Sequence, residues 1–148
     1  MKKQISRALL GLAAALALAV AADAQVLQGV SIRVPFDFVA GEKQMPAGRY
    51  TVRRIRSDAE TALLIRSEDG RSSAVVTTNK GRANPTAAAL VFRQHGDRYF
   101  LAEVSMPGTA SVRELPKTGA ERLLERELAG RKNSDGESKT VTVVGSVQ

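Results

Sequence analysis

The chain has 148 residues, no cysteine and a net charge of +7. The lack of cysteine excludes disulfide bonds, so a folded domain of this length has to be held together by packing alone. Aromatic residues make up 4% of the chain, and no run of Lys and Arg interleaves with them. A nucleic-acid stacking platform is therefore not expected. The positive charge is typical of a solvated basic surface or of one that attracts an anionic partner.

Residues 1–24 have the pattern of a secretory signal peptide. MKKQISR is basic, the uncharged run Ala8–Ala22 follows, and small residues precede a cleavage site after Ala24. The run is shorter than the roughly 20 residues of a membrane-spanning helix. We expect cleavage, with an uncleaved N-terminal anchor as the alternative. The protein would then be exported, periplasmic or extracellular, without a membrane span. Because the segment carries three cations and one acid, the remainder keeps five of the seven net charges.

The remainder begins with two segments typical of strands. Val30–Phe38 alternates apolar and polar residues, the period of a strand with one buried face. Pro35 donates no backbone hydrogen bond, which predicts an edge strand or a bend at that point. AGEKQMPAG follows, and its two glycines and one proline predict a turn. Arg49–Arg56 resumes as a strand, so the pair predicts a hairpin of fixed register.

The second of these strands has an irregular pattern. Tyr50 and Val52 share one face, whereas Ile55 has the opposite parity. A β-bulge near Arg53-Arg54 would return Ile55 to the core and leave the arginines outside. We therefore predict a bulge there.

Two further hairpins are predicted from apolar runs that flank turn sequences. They are Thr61–Ser67 with Ser72–Thr78 around Glu68-Asp69-Gly70-Arg71, and Ala88–Gln94 with Arg98–Ser105 around His95-Gly96-Asp97. His95, the one histidine of the chain, is interpreted as a turn residue. Pro107-Gly108 is expected to end this run of strands.

A change of period after residue 117 predicts one helix. Thr118 and Glu121 have the spacing of a capping box, and Gly130 is a plausible C-cap residue. The apolar stripe consists of Ala120, Leu123, Leu124 and Leu128. A helix of about three turns is not stable alone, so we expect it to pack on the sheet through its leucines.

The C-terminal segment leaves two readings open. Residues 131–138 are polar, and 140–144 alternate again, so the latter form either a last strand beside the first one or part of a disordered tail. The domain organisation is a signal peptide at 1–24, a β-rich domain with its helix at 25–130, and a polar tail at 131–148. The predicted fold class is mainly β, a small antiparallel sandwich or open barrel of about six or seven strands with one C-terminal helix.

Three segments together carry a resemblance to a known family. They are VPFDFVAGEKQMPAGRYTV, LVFRQHGDRYFLAEV and LPKTGAERLLERELAG. Their pattern is similar to PFxFxxGxxxLPAGxYxV, LVFxxxGxxYFLxxV and an LPK-introduced charged helix in a family of small exported soil-bacterial proteins. Met45 stands where that family usually has leucine, a swap that nearly conserves volume. The resemblance implies export and a β-rich domain; it implies no activity and no site residues.

The sequence does not predict an enzyme. There is no G-x-S-x-G elbow, no phosphate-cradling glycine loop, and no nucleophile, base and orienting group that can be named together. His95 and Asp97 could touch one ion, but no second histidine and no cysteine complete a zinc site. Glu68-Asp69 is interpreted as a solvated turn. We therefore expect no catalytic residue, no metal and no cofactor.

Two hypotheses for function remain. The first is a binding or interaction module whose arginine-rich face engages an anionic envelope polymer or another protein, because guanidinium groups bind carboxylate and phosphate in a bidentate manner. The candidate residues are Arg33, Arg49, Arg53, Arg54 and Arg56. The second is a structural or assembly protein of the cell envelope that pairs through an exposed strand edge, either the Pro35 strand or the strand at 140–144. An interior cavity for an apolar ligand is a third, weaker reading.

Overall fold

The computed structural model describes residues 29–55, 61–82, 86–131 and 138–147. The predicted signal peptide, Arg56 and residues 132–137 of the polar tail lie outside these ranges. Within them, twelve strands form two sheets and one helix packs against the second sheet. No helix in the described ranges is long and apolar enough to cross a membrane.

The first sheet contains five strands in the order β12-β1-β4-β5-β6. Their bounds are β1 Val30–Val34, β4 Gly48–Arg54, β5 Ala62–Ser67, β6 Ser73–Thr77 and β12 Ser146–Val147. The second sheet contains seven strands, with β11-β8-β9-β10-β7 in order and the hairpin β2–β3 joined to β9. Their bounds are β2 Phe38–Ala40, β3 Lys43–Met45, β7 Asn79–Lys80, β8 Ala89–His95, β9 Arg98–Ser105, β10 Arg113–Glu114 and β11 Lys139–Val144.

The mainly β sandwich predicted from the sequence is confirmed. The structure has more strands than the six or seven predicted, because one alternating segment of the sequence can divide into two strands, one in each sheet. Pro35 ends β1, and the same run re-enters the second sheet as β2 at Phe38, so the predicted bend is confirmed. All pairings are antiparallel except the single parallel bridge of Val39 with Phe100.

The predicted turn AGEKQMPAG contains a small hairpin of its own. Gly41 takes φ +62° in the turn that joins β2 to β3, a conformation that glycine adopts without steric cost. β1 and β4 still pair antiparallel around this insertion, from Val30 opposite Val52 to Val34 opposite Gly48. The segment therefore connects β1 to β4 in a fixed register, and it also contributes the hairpin β2–β3 to the second sheet.

The sheets are joined at two corners by continuous chain. β6 passes through Thr78 into β7, and β11 passes through Gly145 into β12. At the second corner the Gly145 N–H donates to the Ala88 carbonyl at 2.8 Å. β11 pairs with β8 along its whole length, whereas Ser146 lies opposite Ser31 of β1. The segment at 140–144 is thus a strand, but it pairs with β8, and only the residues after Gly145 reach the first strand.

The predicted bulge near Arg53-Arg54 is wrong. β4 and β5 pair without interruption as far as Arg54 opposite Leu63, and Ile55 is 37% exposed. Ile55 lies one residue beyond the end of β4 and is not buried. The strand therefore needs no bulge to turn Ile55 towards the core. The one register shift in the β8–β9 pair lies between Val91 and Phe92, opposite an extra residue in β9.

Aromatic rings fill the core between the two sheets. Phe38 meets Tyr50 and Phe92 edge-on, with ring centroids 5.2 Å apart in both pairs. The Tyr50 hydroxyl donates to the Pro46 carbonyl, which satisfies its polar end inside the core. These contacts connect β2, β4 and β8, and so they tie the inserted hairpin to both sheets.

We expect Gly145→Ala to destabilise the fold. A Cβ at this position would collide with Ile32 and lie 2.6 Å from the Ser31 carbonyl oxygen. The corner has no room for a methyl group, so the free energy of unfolding should fall by about 1–3 kcal/mol, the usual cost of overpacking. Urea unfolding measures this.

Gly119→Ala is the matched control, because a Cβ at Gly119 meets nothing within 4 Å. It should leave the free energy of unfolding unchanged or slightly raised, since alanine favours helix. An equal loss for both variants would contradict the role given to the corner.

Candidate binding site

The outer surface of the first sheet is strongly cationic. Strands β1, β4, β5 and β6 read VSIRV, GRYTVRR, ALLIRS and SAVVT, with five arginines and no acidic residue. Successive side chains of a strand point to opposite faces, so burial of every second residue assigns each arginine to a face. Tyr50 and Val52 are fully buried, which places Arg49 and Arg53 on the outer face.

Three of the five predicted binding residues meet on this face. Arg33 and Arg49 lie directly opposite each other in the register of β1 and β4, and Arg53 follows on β4. Arg54 has the core-facing parity and is half-buried at the end of its strand, so the prediction that it joins them is wrong. Arg56 lies outside the described residues.

A fourth arginine joins the face although the sequence reading missed it. Arg66 of β5 lies opposite Thr51, diagonal to both Arg49 and Arg53. It is exposed, because Leu63 and Ile65 take the inward positions of that strand. In the sequence, the alternation of ALLIRS indicates only that Arg66 points away from the core. The register of β5 with β4 is needed to show that it lies beside Arg49 and Arg53. We call Arg33, Arg49, Arg53 and Arg66 the arginine face.

Two shallow cavities are each lined by two arginines of this face. One has a volume of about 380 Å³ and is lined by Ser31, Arg33, Arg49, Val144, Gly145 and Ser146. The other has a volume of about 290 Å³ and is lined by Thr51, Arg53, Arg66, Ser67 and Glu68. Glu68 lies 3.6 Å from the Arg49 guanidinium, and both side chains are at least half exposed. An exposed pair of this kind contributes little, so it does not neutralise the face.

His95 is not the plain turn residue that the sequence predicted. It is the last residue of β8, paired with Arg98, and the turn consists of Gly96 and Asp97 alone. The His95 side chain is 3% exposed, and its Nε2 lies 3.0 Å from Glu121 Oε1 and 3.4 Å from Glu125 Oε1. A histidine followed by glycine looks like a turn in the sequence, and only the returning helix buries it.

Glu121 is the residue through which the helix, α1 (Gly119–Gly130), docks on the second sheet. It is 1% exposed and is the one buried residue of the helix. Arg93 of β8 donates to both carboxylate oxygens, from Nε at 2.6 Å and Nη2 at 3.0 Å. The expectation that the leucines hold the helix is wrong in part, because Leu123 is 56% exposed while Leu124 and Leu128 are half-buried.

The predicted cap at the start of the helix is confirmed in one of its two bonds. The Thr118 hydroxyl accepts from the Glu121 N–H at 3.2 Å. The Glu121 carboxylate, which a capping box would turn back to Thr118, is held by Arg93 and His95 instead. The same residue therefore begins the helix through its backbone and anchors it through its side chain.

This buried cluster could be considered as a metal site, since ligand atoms of His95, Glu121 and Glu125 lie within 4.8 Å of one another. Each carboxylate, however, already has a cationic partner. Arg93 binds Glu121, and the Lys117 ammonium donates to Glu125. A divalent ion would add two positive charges to a buried group whose charges already balance, which is costly. We interpret the cluster as an ionic anchor for the helix.

Comparison with known protein families, curated proteins and solved structures finds no match for this chain. The fold and the arginine face thus define a small mainly β sandwich with a cationic outer sheet. The resemblance to a family of exported proteins stays a prediction.

We expect Glu121→Gln to lower the free energy of unfolding by about 2–4 kcal/mol, because it leaves the Arg93 charge without its buried partner. The Arg93 side chain is 20% exposed, so water compensates part of the loss. Chemical denaturation at pH 7 measures the change. Glu127→Gln, on the exposed side of the same helix, is the control and should stay within about 0.5 kcal/mol of the wild type. Equal effects would show that Glu121 does not anchor the helix.

The anchor should also depend on pH. Burial alone raises the pKa of Glu121, but the hydrogen bonds and charges of Arg93 and His95 outweigh it and hold the pKa below its ordinary value of 4.5. A carboxyl with a lower pKa in the folded state stabilises the fold above its unfolded pKa, and this stability is lost as the pH falls through the folded pKa.

The difference in unfolding free energy between wild type and Glu121→Gln should therefore shrink as the pH is lowered from 4.5 towards acid. Denaturant titrations of both proteins at a series of pH values measure it, and groups common to both cancel. A difference that stays constant or grows in acid would contradict the assigned pKa shift.

Proposed function

We propose that this protein is an exported, non-enzymatic binding module that engages an anionic partner through the arginine face. The observation that carries the proposal is the direct opposition of Arg33 and Arg49 on neighbouring strands. Like charges in cross-strand pairs destabilise a sheet, and facing side chains are only about 5 Å apart at Cβ. An anion bound between them turns this repulsion into attraction.

The surroundings of the face support the same reading. None of its four strands carries an acidic side chain, and the nearest acidic residue that pairs with it, Glu68, sits in the turn after β5. Guanidinium groups are weakly hydrated and donate in a planar fork, which suits carboxylate and phosphate groups. An anionic envelope polymer, or an acidic surface of another protein, fits this description.

The placement of His95 favours binding over catalysis. Its ring is covered by α1, and its Nε2 faces two carboxylates that belong to the ionic anchor. A general base has to reach the substrate proton within hydrogen-bond distance, directly or through one water. A ring enclosed in this way is poorly placed for that role.

The proposal predicts salt-sensitive binding to polyanions. Long-chain polyphosphate and polyglutamate, titrated into the chain from Gln25 onwards, should each bind more weakly as ionic strength rises, because salt screens exposed charges. The double variant Arg33→Gln, Arg49→Gln should lose about tenfold or more in affinity, as expected for two charge-assisted contacts. Calorimetric titration at low and high salt measures both effects.

The control is Arg122→Gln, which removes one positive charge from the helix surface, away from the arginine face. It should bind like the wild type. If Arg122→Gln weakens binding as much as the double variant does, the binding depends on the net charge of the protein and not on the arginine face. An absence of binding to both polymers would overturn the proposal.

The alternative is a structural or assembly protein of the envelope that pairs through a strand edge. β1 offers little of such an edge, because β4 pairs with its whole length on one side and β12 pairs with Val30 and Ser31 on the other. β11 favours the alternative, since within the described chain it ends the second sheet and pairs with β8 alone. Edge pairing creates backbone hydrogen bonds and should persist in high salt, so sedimentation of the free protein at two salt concentrations separates the hypotheses.

A further inference from the structure

The two cavities of the arginine face differ in their chemistry. The cavity that contains Arg53 and Arg66 also contains Glu68, so it holds an anion of its own. The cavity at the corner of the sheets has Arg33 and Arg49 among its lining residues and no acidic side chain. The corner cavity therefore has no carboxylate in its lining, although Glu68 lies 3.6 Å from the Arg49 guanidinium outside it.

The corner cavity also has hydroxyl donors. Ser31 and Ser146 line it, and they lie directly opposite each other in the register of β1 and β12. Val144 and Gly145 complete the lining. The lack of a side chain at Gly145 is enforced by the close approach of Ile32 and the Ser31 carbonyl. Two arginines and two serines thus line one concavity of about 380 Å³, within the range of small-molecule sites.

We propose that the corner cavity binds a phosphate group, as a phosphate ester. This inference rests on the anion-binding function proposed above and names the ligand of that site. A phosphate monoester carries a charge of about −1.5 to −2 near pH 7, which matches the two arginines. Its oxygens accept from donors that do not lie in one plane.

A carboxylate fits the same cavity less well. It offers two oxygens and a single negative charge, whereas a phosphate monoester offers three terminal oxygens and a charge of about −1.5 to −2. The two arginines and two serines of the cavity therefore match a phosphate better than one carboxylate, in charge and in the number of acceptor oxygens.

The test titrates the chain from Gln25 onwards with glycerol phosphate and, separately, with acetate, by calorimetry at low salt. Glycerol phosphate should bind more tightly than acetate. Arg33→Gln should weaken glycerol phosphate binding about tenfold or more, since charge-assisted hydrogen bonds are the strong ones. Arg122→Gln is the matched control, because it removes the same charge from the exposed surface of the helix, outside the arginine face. It should weaken binding by less than about threefold.

Vesicles distinguish the source of the phosphate. Co-sedimentation with phosphatidylglycerol in phosphatidylcholine, against phosphatidylcholine alone, tests a lipid headgroup with the same two variants. Loss of binding with Arg33→Gln but not Arg122→Gln, in either the soluble or the vesicle titration, supports the phosphate site and identifies its source. Thermal melts of the variants check that each is folded.

Two results overturn the inference. They are equal binding of glycerol phosphate and acetate, and equal losses for Arg33→Gln and Arg122→Gln. In both cases, if the wild type still binds the polyanions, the proposed anion-binding function is retained, and only the phosphate ester is rejected as its ligand. Failure of the wild type to bind polyphosphate and polyglutamate would instead remove the function itself, so the two failures are distinguishable.

Discussion

The contact of Glu121 with Arg93 and His95 is the interaction on which the C-terminal half of the fold depends. Packing would ordinarily attach an amphipathic helix to a sheet through its apolar stripe. Here the helix exposes Leu123 and buries a carboxylate. Because a buried charge is tolerated only when it is paired and hydrogen-bonded, the helix has one position at which it can dock. The anchor thus fixes where the chain leaves the helix to form β11.

The second constraint is continuity at the corners. A sandwich normally relies on its core to hold two separate sheets, and a chain without cysteine has no disulfide to help. In this protein the passages through Thr78 and Gly145 supply covalent connection at both ends of the strand order. The corner at Gly145 also lies beside the two arginines that carry the proposed site. Sheet closure and the proposed binding site therefore share the same few residues, since Gly145, which must be glycine for steric reasons, also lines the cavity.

The separation of the two charged regions has a functional consequence. Near the helix, Glu121 and Glu125 pair with Arg93 and Lys117, and both carboxylates face the buried ring of His95. The first sheet keeps its arginines on the outside with little compensation. The protein therefore presents a stabilised ionic cluster on one sheet and a largely uncompensated cationic surface on the other. Such a division suits a small module whose stability does not rely on the charges that it offers to a partner.

The sequence by itself determined the local structure. Alternation located most strands, Asp-Gly and His-Gly located two hairpins, Pro35 marked a bend, and Thr118 marked the start of the helix. These features arise from neighbours along the chain, so composition and spacing reveal them. The tertiary structure decided everything that depends on register between distant strands. Only pairing shows that Arg33 opposes Arg49 and that Arg66 joins them, and only the docked helix buries His95. A β-bulge was predicted from parity alone, but whether Ile55 had to be buried depended on where its strand ended, which no local pattern records.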